Sequence, residues 1–193
     1  MTWNVKRVLE VILVCALVVL AVVCIFVNVS FAANDTVDTK CGADAETLEG
    51  ILPDPLSGYA QLILDMEEEH GVNAVFMCAI AQQETGSGNA GVGRTHKHNL
   101  FGMSGKRFES YEDSIEHAFA LMASDLYIGS GRDTIESIGK RYNPETTDSW
   151  IRAVRSIMQD YNDQIKEVND ASGYGGKHEK STCKEIRYYG GIQ

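Results

Sequence analysis

Hydrophobic residues form one long block at the N-terminus and recur at helical spacing in the rest of the chain. The block runs almost without interruption from Val11 to Val29, and Lys6 and Arg7 precede it. About 20 apolar residues in a helix span the hydrocarbon core of a bilayer, and flanking basic residues stay on the inner side. The pattern therefore predicts a transmembrane or signal helix over residues 1–33.

Two interpretations of this N-terminal block stay open. Ser30 and Ala32 place small residues at the two positions that a signal peptidase inspects, which is typical of a cleaved signal. The length of the apolar run favours an uncleaved anchor equally well. In both cases the chain from about residue 34 onward is expected on the outer side of the membrane.

Beyond this block the pattern changes to a polar segment, a series of amphipathic helices and a charged tail. Residues 34–54 are predicted to be a linker with one short helix, because the first part is polar and prolines end the segment. Residues 55–168 carry apolar side chains at helical spacing, and the Gly-rich tail 169–193 is expected to be loosely held. The predicted helices cover residues 56–69, 73–85, 110–127 and 133–141, and a last helix begins at an Asp148 cap and buries side chains as far as Val168.

The helix predicted over residues 73–85 is apolar on nearly every side. Its residues from Val75 to Ala81 show no strand alternation, which indicates a buried helix. The helix carries Glu84 at its end and stops at a Thr-Gly-Ser-Gly breaker cluster. The following residues 86–109 lack periodicity, and long loops of this kind are usually functional. The sequence thus predicts a mostly α fold whose central helix ends in one carboxylate beside a functional loop.

Composition and charge exclude one class of function. The net charge is −10 and the pI about 4.9, whereas proteins that follow a phosphate backbone carry a basic face. We therefore expect no nucleic acid partner.

The cysteines and histidines outside the apolar block carry weaker signals. Cys41 and Cys183 flank the domain, so they either form a disulfide in an oxidising compartment or remain two free thiols. Cys78 lies in the apolar helix and is interpreted as a buried residue. His96 and His98 form a His-x-His pair, but no third and fourth ligand stand at useful spacing, so no metal or other cofactor is expected.

Glu84 is the residue that points to catalysis. A carboxyl group set against apolar walls has a raised pKa, because desolvation disfavours its charged form. Such an acid protonates a glycosidic oxygen near neutral pH. The alternative is a glutamate at a helix end that is exposed to water, and position alone does not separate the two.

Neighbouring motifs favour the catalytic interpretation. The stretch AIAQQETGSG at 79–88, followed by NLFGMSGK at 99–106, resembles the glucosaminidase branch of the lysozyme superfamily. This branch comprises the family-73, mannosyl-glycoprotein endo-β-N-acetylglucosaminidase-like autolysins and the related flagellar muramidases. Further similarity lies in FESY at 108–111 and in IGKRY at 138–142 with Trp150 and Ile151 after it, so the resemblance covers about residues 56–162.

The resemblance implies a lysozyme-like fold and peptidoglycan glycan as the substrate, cut after N-acetylglucosamine. It implies Glu84 as the general acid and Tyr142 as the tyrosine that faces the reaction centre. Asn99 and Phe101 correspond to the cleft floor and wall, and the neighbouring Gly102 and His98 are expected to contact the glycan. Core packing under the loop is an equal interpretation of Phe101, and a half-buried helix residue is the alternative for Tyr142.

One departure from the family pattern concerns the second carboxylate. Many members carry a β-hairpin after the Asn-Leu-Phe-Gly loop, but here only Ser104 to Arg107 separate Met103 from Phe108. We therefore expect a much reduced β region and take Glu109 as the second carboxylate. If only one carboxylate acts, the acetamido group of the substrate or an intramolecular attack replaces the second.

These features predict a peptidoglycan hydrolase, namely an endo-β-N-acetylglucosaminidase. A lytic transglycosylase of the same superfamily and a non-catalytic, membrane-tethered wall-binding protein are the alternatives. The expected partners are glycan strands, the membrane through the N-terminal helix and a conjugation or secretion apparatus. The expected location is the bacterial cell membrane with the domain outside, or the cell wall if the N-terminus is cleaved.

Overall fold

The structure is a computed structural model that describes residues 2–33, 35–91 and 97–171. In its first helix, the described side chains are those of residues 7, 8 and 10–23. The predictions for His96, for the Cys41–Cys183 pair and for most of the C-terminal tail lie outside these residues.

The N-terminal block forms α1, Thr2–Ala33. Its described valine, leucine and isoleucine side chains are exposed. No helix in the described part of the chain meets the requirements of length and apolar character for crossing a membrane. The anchor and the signal peptide both stay predictions.

The remaining helices follow the sequence pattern closely. The predicted short helix and the five predicted helices are all present, with ends that differ by a few residues. The bounds are Ala45–Ile51 for α2, Ala60–His70 for α3, Ala74–Thr85 for α4, Tyr111–Ala123 for α5, Ile135–Tyr142 for α6 and Thr147–Ala171 for α7, with 3-10 turns at Leu56–Tyr59 and Ile128–Ser130.

Local side chains explain where these helices begin and end. Asn73 and Ser110 accept hydrogen bonds from backbone N–H groups in the first turns of α4 and α5, and Thr134 forms a capping box in α6. Gly71 and Gly86 adopt left-handed conformations after α3 and α4, which closes those helices.

The largest differences from the predicted ends concern α5 and α7, as well as the 3-10 turn that replaces the start of the first amphipathic helix. Helix α5 ends at Ala123, because the Ser124 hydroxyl donates to the carbonyl of Leu121 and the chain turns. Helix α7 begins at Thr147, so Asp148 lies in its first turn and is not the cap. The helix also continues past the core, which leaves the predicted core residue Val168 exposed.

Helix α4 forms the centre of the domain. Every residue from Ala74 to Ala81 is buried, as the continuous apolar pattern predicts. The amphipathic α7 packs along α4 and contributes Trp150, Val154, Met158 and Tyr161 to the same core. The β content is as small as expected, since within the described ranges the only extended pairing is an isolated bridge between Thr36 and Thr134.

The expected linker over 34–54 is in fact part of the domain, from residue 35 onward. Residues 35–41 form a segment that we call the strap. Val37 N donates to the carbonyl oxygen of Asp133 at 2.8 Å, and the carbonyl oxygen of Val37 accepts from Asn73 N, also at 2.8 Å. The side chain of Val37 is fully buried, and that of Leu48 in α2 is too. The linker prediction was wrong because backbone pairing of an irregular segment leaves no periodic side-chain pattern.

Candidate active site

Glu84 lies in the last turn of α4, where the buried core reaches the surface of the domain. The residues before it on the core side are buried, whereas Gln82 and Gln83 are exposed and Glu84 itself is half-buried. Its Oε1 atom accepts a hydrogen bond of 2.6 Å from the indole Nε1–H of Trp150 on α7. The carboxyl group is therefore held at the junction of the two helices that form the core.

Burial raises the pKa of Glu84, and the hydrogen bond from Trp150 partly opposes this effect. The direction matches the sequence expectation, since desolvation penalises the ionised carboxylate. No second carboxyl group contributes to this shift. Among the described residues, Glu84 thus has no acidic partner that influences its protonation.

The loop after α4 approaches Glu84 at Gly102. This glycine has a φ of +65°, and a Cβ atom there would lie 3.1 Å from Cβ and 3.4 Å from Oε2 of Glu84. Such a contact is tighter than side chains normally make, so a Cβ atom here would push Glu84 aside by a few tenths of an ångström, and the positive φ also favours glycine. Gly102 therefore forms one wall of the site through its backbone.

Two buried side chains hold this loop, since Thr85 joins it to α4 and Asn99 forms hydrogen bonds within it. The hydroxyl of Thr85 lies 2.5 Å from the carbonyl oxygen of Leu100 and accepts from Gly88 N at 2.8 Å. Asn99 donates from Nδ2 to the carbonyls of Met103 and Lys106 at 2.8 and 3.1 Å, and its Oδ1 accepts from Met103 N. Residues 99–106 of the loop are therefore held in place by these hydrogen bonds.

Asn99 and Phe101 are buried in the structure, whereas the resemblance implied that they form the floor and wall of the cleft. Asn99 is fully buried and directs its amide into the loop, and Phe101 is only 3% exposed. In this structure neither side chain lies on a surface that a glycan reaches. For Phe101 the arrangement corresponds to the alternative of core packing under the loop.

Tyr142 is brought next to Glu84 through its neighbours. Its ring stacks on that of Trp150, with centroids 5.2 Å apart and an angle of 28° between the planes. Its hydroxyl donates to the carbonyl oxygen of Phe101 at 3.0 Å. Burial is the main cause that raises the pKa of Tyr142, and the charge of Glu84 adds to it. The tyrosine is thus a neutral hydrogen-bond donor to the loop.

Glu109 lies in a different region. It is exposed and lines a pocket of about 700 Å³ between α3 and α5, together with Glu69, Asp113 and Glu116. Glu109 therefore lines a pocket formed with α3 and α5, and Glu84 lies outside that lining.

His98 supports the far end of the loop. Its Nδ1 lies 3.2 Å from the carbonyl oxygen of Phe108, a pairing that requires Nδ1 to carry the proton. Its ring meets the edge of the Tyr111 ring, with centroids 4.8 Å apart. No group of three or more His, Cys, Asp or Glu side chains is arranged to hold a metal within the described ranges.

Trp150 is the site residue that the sequence analysis missed. That analysis placed it in the closing helix of the family and assigned it no role. The available signal was its chemistry, because a buried indole N–H needs an acceptor and Glu84 ends the only predicted helix that is buried throughout. Which acceptor it meets depends on how α7 packs on α4.

Comparison with known proteins agrees with the motifs. The sequence model of the family described as Glucosaminidase, mannosyl-glycoprotein endo-beta-N-acetylglucosaminidase, matches residues 60–172, which is more than half of the chain. No curated protein matches the chain. The matched range contains Glu84, the loop, Tyr142 and Trp150.

Proposed function

Because the chain belongs to the glucosaminidase family of glycoside hydrolases, we propose that it cleaves peptidoglycan as an endo-β-N-acetylglucosaminidase with Glu84 as general acid. The observation that carries the proposal is the environment of Glu84, which is half-buried with a raised pKa and has one oxygen held by Trp150. A carboxyl group with a raised pKa keeps its proton to higher pH, so it can protonate the leaving glycosidic oxygen.

We assign the attack on C1, which a second carboxylate would otherwise perform, to the substrate itself. Glu109 lies in another pocket, and no other carboxyl group contributes to the pKa shift of Glu84. We propose that the acetamido oxygen of N-acetylglucosamine bonds to C1 while Glu84 gives its proton to the leaving oxygen and the C1–O bond breaks. Water then attacks C1, loses a proton to Glu84 and restores the acetamido group, so the net reaction is hydrolysis.

The other site residues receive supporting roles in this proposal. Gly102 provides a backbone wall beside Glu84, and Asn99 and Phe101 hold that wall from below. Tyr142 anchors the loop through its hydroxyl, and His98 fixes the far end. Sugar contacts are then made by the surface of the loop and not by the buried side chains.

A lytic transglycosylase is the second candidate, and it is favoured because no second carboxyl group among the described residues contributes to the pKa shift of Glu84. In that reaction the glycosidic bond at C1 of a muramyl sugar breaks, the departing sugar takes the proton of Glu84, and a hydroxyl group of the same muramyl sugar attacks its own C1 in place of water, so the product is an anhydro sugar. A non-catalytic wall-binding protein is the third candidate, but binding alone does not require a carboxyl group with a raised pKa at the end of a buried helix.

We also propose that the domain acts outside the cytoplasmic membrane, as the N-terminal basic and apolar pattern indicates. The protein is then either a membrane-tethered or a secreted wall enzyme, and a conjugation or secretion machine is its proposed setting. Protease treatment of intact spheroplasts would degrade an exterior domain. Protection of the domain until the cells are lysed would contradict this location.

The test of function is digestion of purified peptidoglycan by the full-length chain, followed by borohydride reduction and mass analysis. Glu84→Gln removes the acid, and Glu46→Gln, an exposed helix glutamate on α2, is the matched control. Fragments that end in reduced N-acetylglucosamine, formed by wild type and Glu46→Gln and absent with Glu84→Gln, support the hydrolase. Anhydro-muropeptides would assign the transglycosylase, and the absence of fragments from wild type would favour the binding protein.

A further inference from the structure

Within residues 35–91 and 97–171, the indole of Trp150 is the one side chain that donates a hydrogen bond to the proposed catalytic acid. Trp150 is 2% exposed and lies in the first turn of α7, 66 residues from Glu84 in the sequence. We propose that Trp150 is a positioning residue for Glu84, which fixes the carboxyl group and determines which of its two oxygens carries the proton. This inference rests on the proposed role of Glu84.

The choice of oxygen follows from the chemistry of the indole. An indole N–H donates a hydrogen bond and cannot accept one. A proton on Oε1 would therefore compete with the Nε1–H of Trp150 for the same space. The carbonyl-type oxygen is the better acceptor, so this hydrogen bond favours a proton on Oε2, the oxygen on the side of Gly102 and the loop. The hydrogen bond thus presents the acidic proton towards the proposed substrate side.

Close packing prevents the indole from changing its orientation. One contact is the stacked ring of Tyr142, whose hydroxyl is anchored on the backbone of Phe101. Another is Gly139 on α6, where a Cβ atom would lie 3.1 Å from Cε3 and 3.2 Å from Cζ3 of Trp150. A ring clamped in this way acts as a fixed donor, because rotation would require movement of α6 or of Tyr142.

The hydrogen bond also has a defined electrostatic effect. Donation to a carboxylate stabilises the ionised form, so it lowers the pKa of Glu84 against the rise caused by burial. Removing the N–H while keeping an aromatic ring must therefore raise the pKa of Glu84 further. If Trp150 only filled space, its replacement would change the stability of the fold without raising the pKa of Glu84. The titration of Glu84 therefore distinguishes a positioning role of Trp150 from a packing role.

The first measurement uses the unmodified protein. The chain contains two tryptophans, Trp3 and Trp150, so its indole N–H proton resonances are readily assigned by NMR. In the full-length chain, the resonance of Trp150 should move with pH along the titration of Glu84. In Glu84→Gln it should not. A Trp150 resonance that does not respond to pH while Glu84 titrates would overturn the proposal.

The second measurement compares Trp150→Phe with Tyr161→Phe. The control removes another hydrogen bond of 2.6 Å between α7 and α4, from Tyr161 Oη to Gln82 Oε1, which does not involve Glu84. In Trp150→Phe the carboxyl signal of Glu84 should titrate at higher pH than in wild type, and in Tyr161→Phe it should not move. Equal titration of Glu84 in all three proteins would contradict the proposal.

Activity provides a third readout. On peptidoglycan, the alkaline limb of the pH profile of kcat should move to higher pH in Trp150→Phe, and kcat at the optimum should fall about 10- to 100-fold because the acid is less well oriented. An unchanged limb with reduced kcat would indicate a structural role only. If wild type releases no fragments, the proposed hydrolase fails, and the NMR titrations still decide the role of Trp150. If Trp150→Phe does not fold, the wild-type resonance decides it.

Discussion

Gly102 lies so close to Glu84 that a Cβ atom at this position would be 3.1 Å from the Cβ atom of Glu84. The contact joins the end of the buried helix α4 to a residue in the second half of the loop that follows it. Because the contact is made by backbone, the spacing between the loop and the carboxyl group depends on the absence of a side chain at one residue.

The first prediction concerns this contact and has an internal control. Gly102→Ala and Gly105→Ala both place a Cβ atom on left-handed backbone, with φ of +65° and +70°, and each should cost about 1 kcal/mol of stability. Only in Gly102→Ala does the added Cβ atom contact Glu84, since nothing lies within 4 Å of a Cβ atom at Gly105. We expect kcat to fall at least about tenfold in Gly102→Ala alone, measured together with urea unfolding. Equal activity of the two variants would contradict the wall assigned to Gly102.

The second prediction is a pH dependence of stability. The folded-state pKa of Glu84 is raised from its ordinary value of 4.5, chiefly by burial. Its favourable contribution is therefore complete below the unfolded-state pKa and is lost as pH rises through the folded-state pKa. The free energy of unfolding of wild type, minus that of Glu84→Gln, should fall as pH increases above about 4.5.

Glu112 provides a control of opposite sign for this experiment. Its own backbone N–H and the Ser110 hydroxyl lower the pKa of Glu112. Its contribution is present above the unfolded-state pKa and is lost as pH falls through the folded-state pKa. The difference between wild type and Glu112→Gln should therefore rise with pH. Parallel pH trends for the two variants would show that the burial of Glu84 does not govern its titration.

The third prediction tests the single-carboxylate mechanism. Glu109→Gln should leave kcat on peptidoglycan within about twofold of wild type, because Glu109 lies in the pocket between α3 and α5. Glu84→Gln should reduce kcat by at least about 100-fold. A comparable loss in both variants would restore Glu109 as a second catalytic carboxylate and would require the loop to move on substrate binding.

The fourth prediction concerns the strap. Arg155 on α7 donates two hydrogen bonds, of 2.6 and 2.7 Å, to the carboxylate of Asp35, and the two side chains are 35% and 16% exposed. Asp35→Ala should therefore destabilise the domain by about 2 kcal/mol in urea unfolding, because the pair is bidentate and partly buried.

The control for the strap is an ion pair that lies in solvent. Glu136→Ala removes the exposed pair with Lys140 on α6 and should change stability by about 0.5 kcal/mol or less. Neither substitution touches Glu84, so the activity of the remaining folded protein should be unchanged. Equal, small effects of the two substitutions would mean that residues 35–41 behave as the linker that their polar composition indicates.

The sequence by itself determined the helices and the identity of the central one. Apolar residues at helical spacing predicted the domain's helices, and Gly71 and Gly86 marked two of their ends, because these signals act within a few residues of the chain. The continuous apolar run before Glu84 identified a helix buried on all sides with a carboxyl group at its end. The motifs around Glu84 and Asn99 indicated the family, which the match over residues 60–172 confirmed.

Only the tertiary structure decided which groups meet at Glu84. Periodicity shows that one face of α7 is buried, but it does not show that the indole of Trp150 meets Glu84 when α7 packs on α4. Polarity likewise did not indicate that Asn99 turns inward to hold the loop, or that Glu109 belongs to another pocket. Hydrogen bonds between distant segments depend on the rotation and register of packed helices. A linear pattern of residue types does not encode those quantities, so the support of the carboxyl group became visible only in the folded chain.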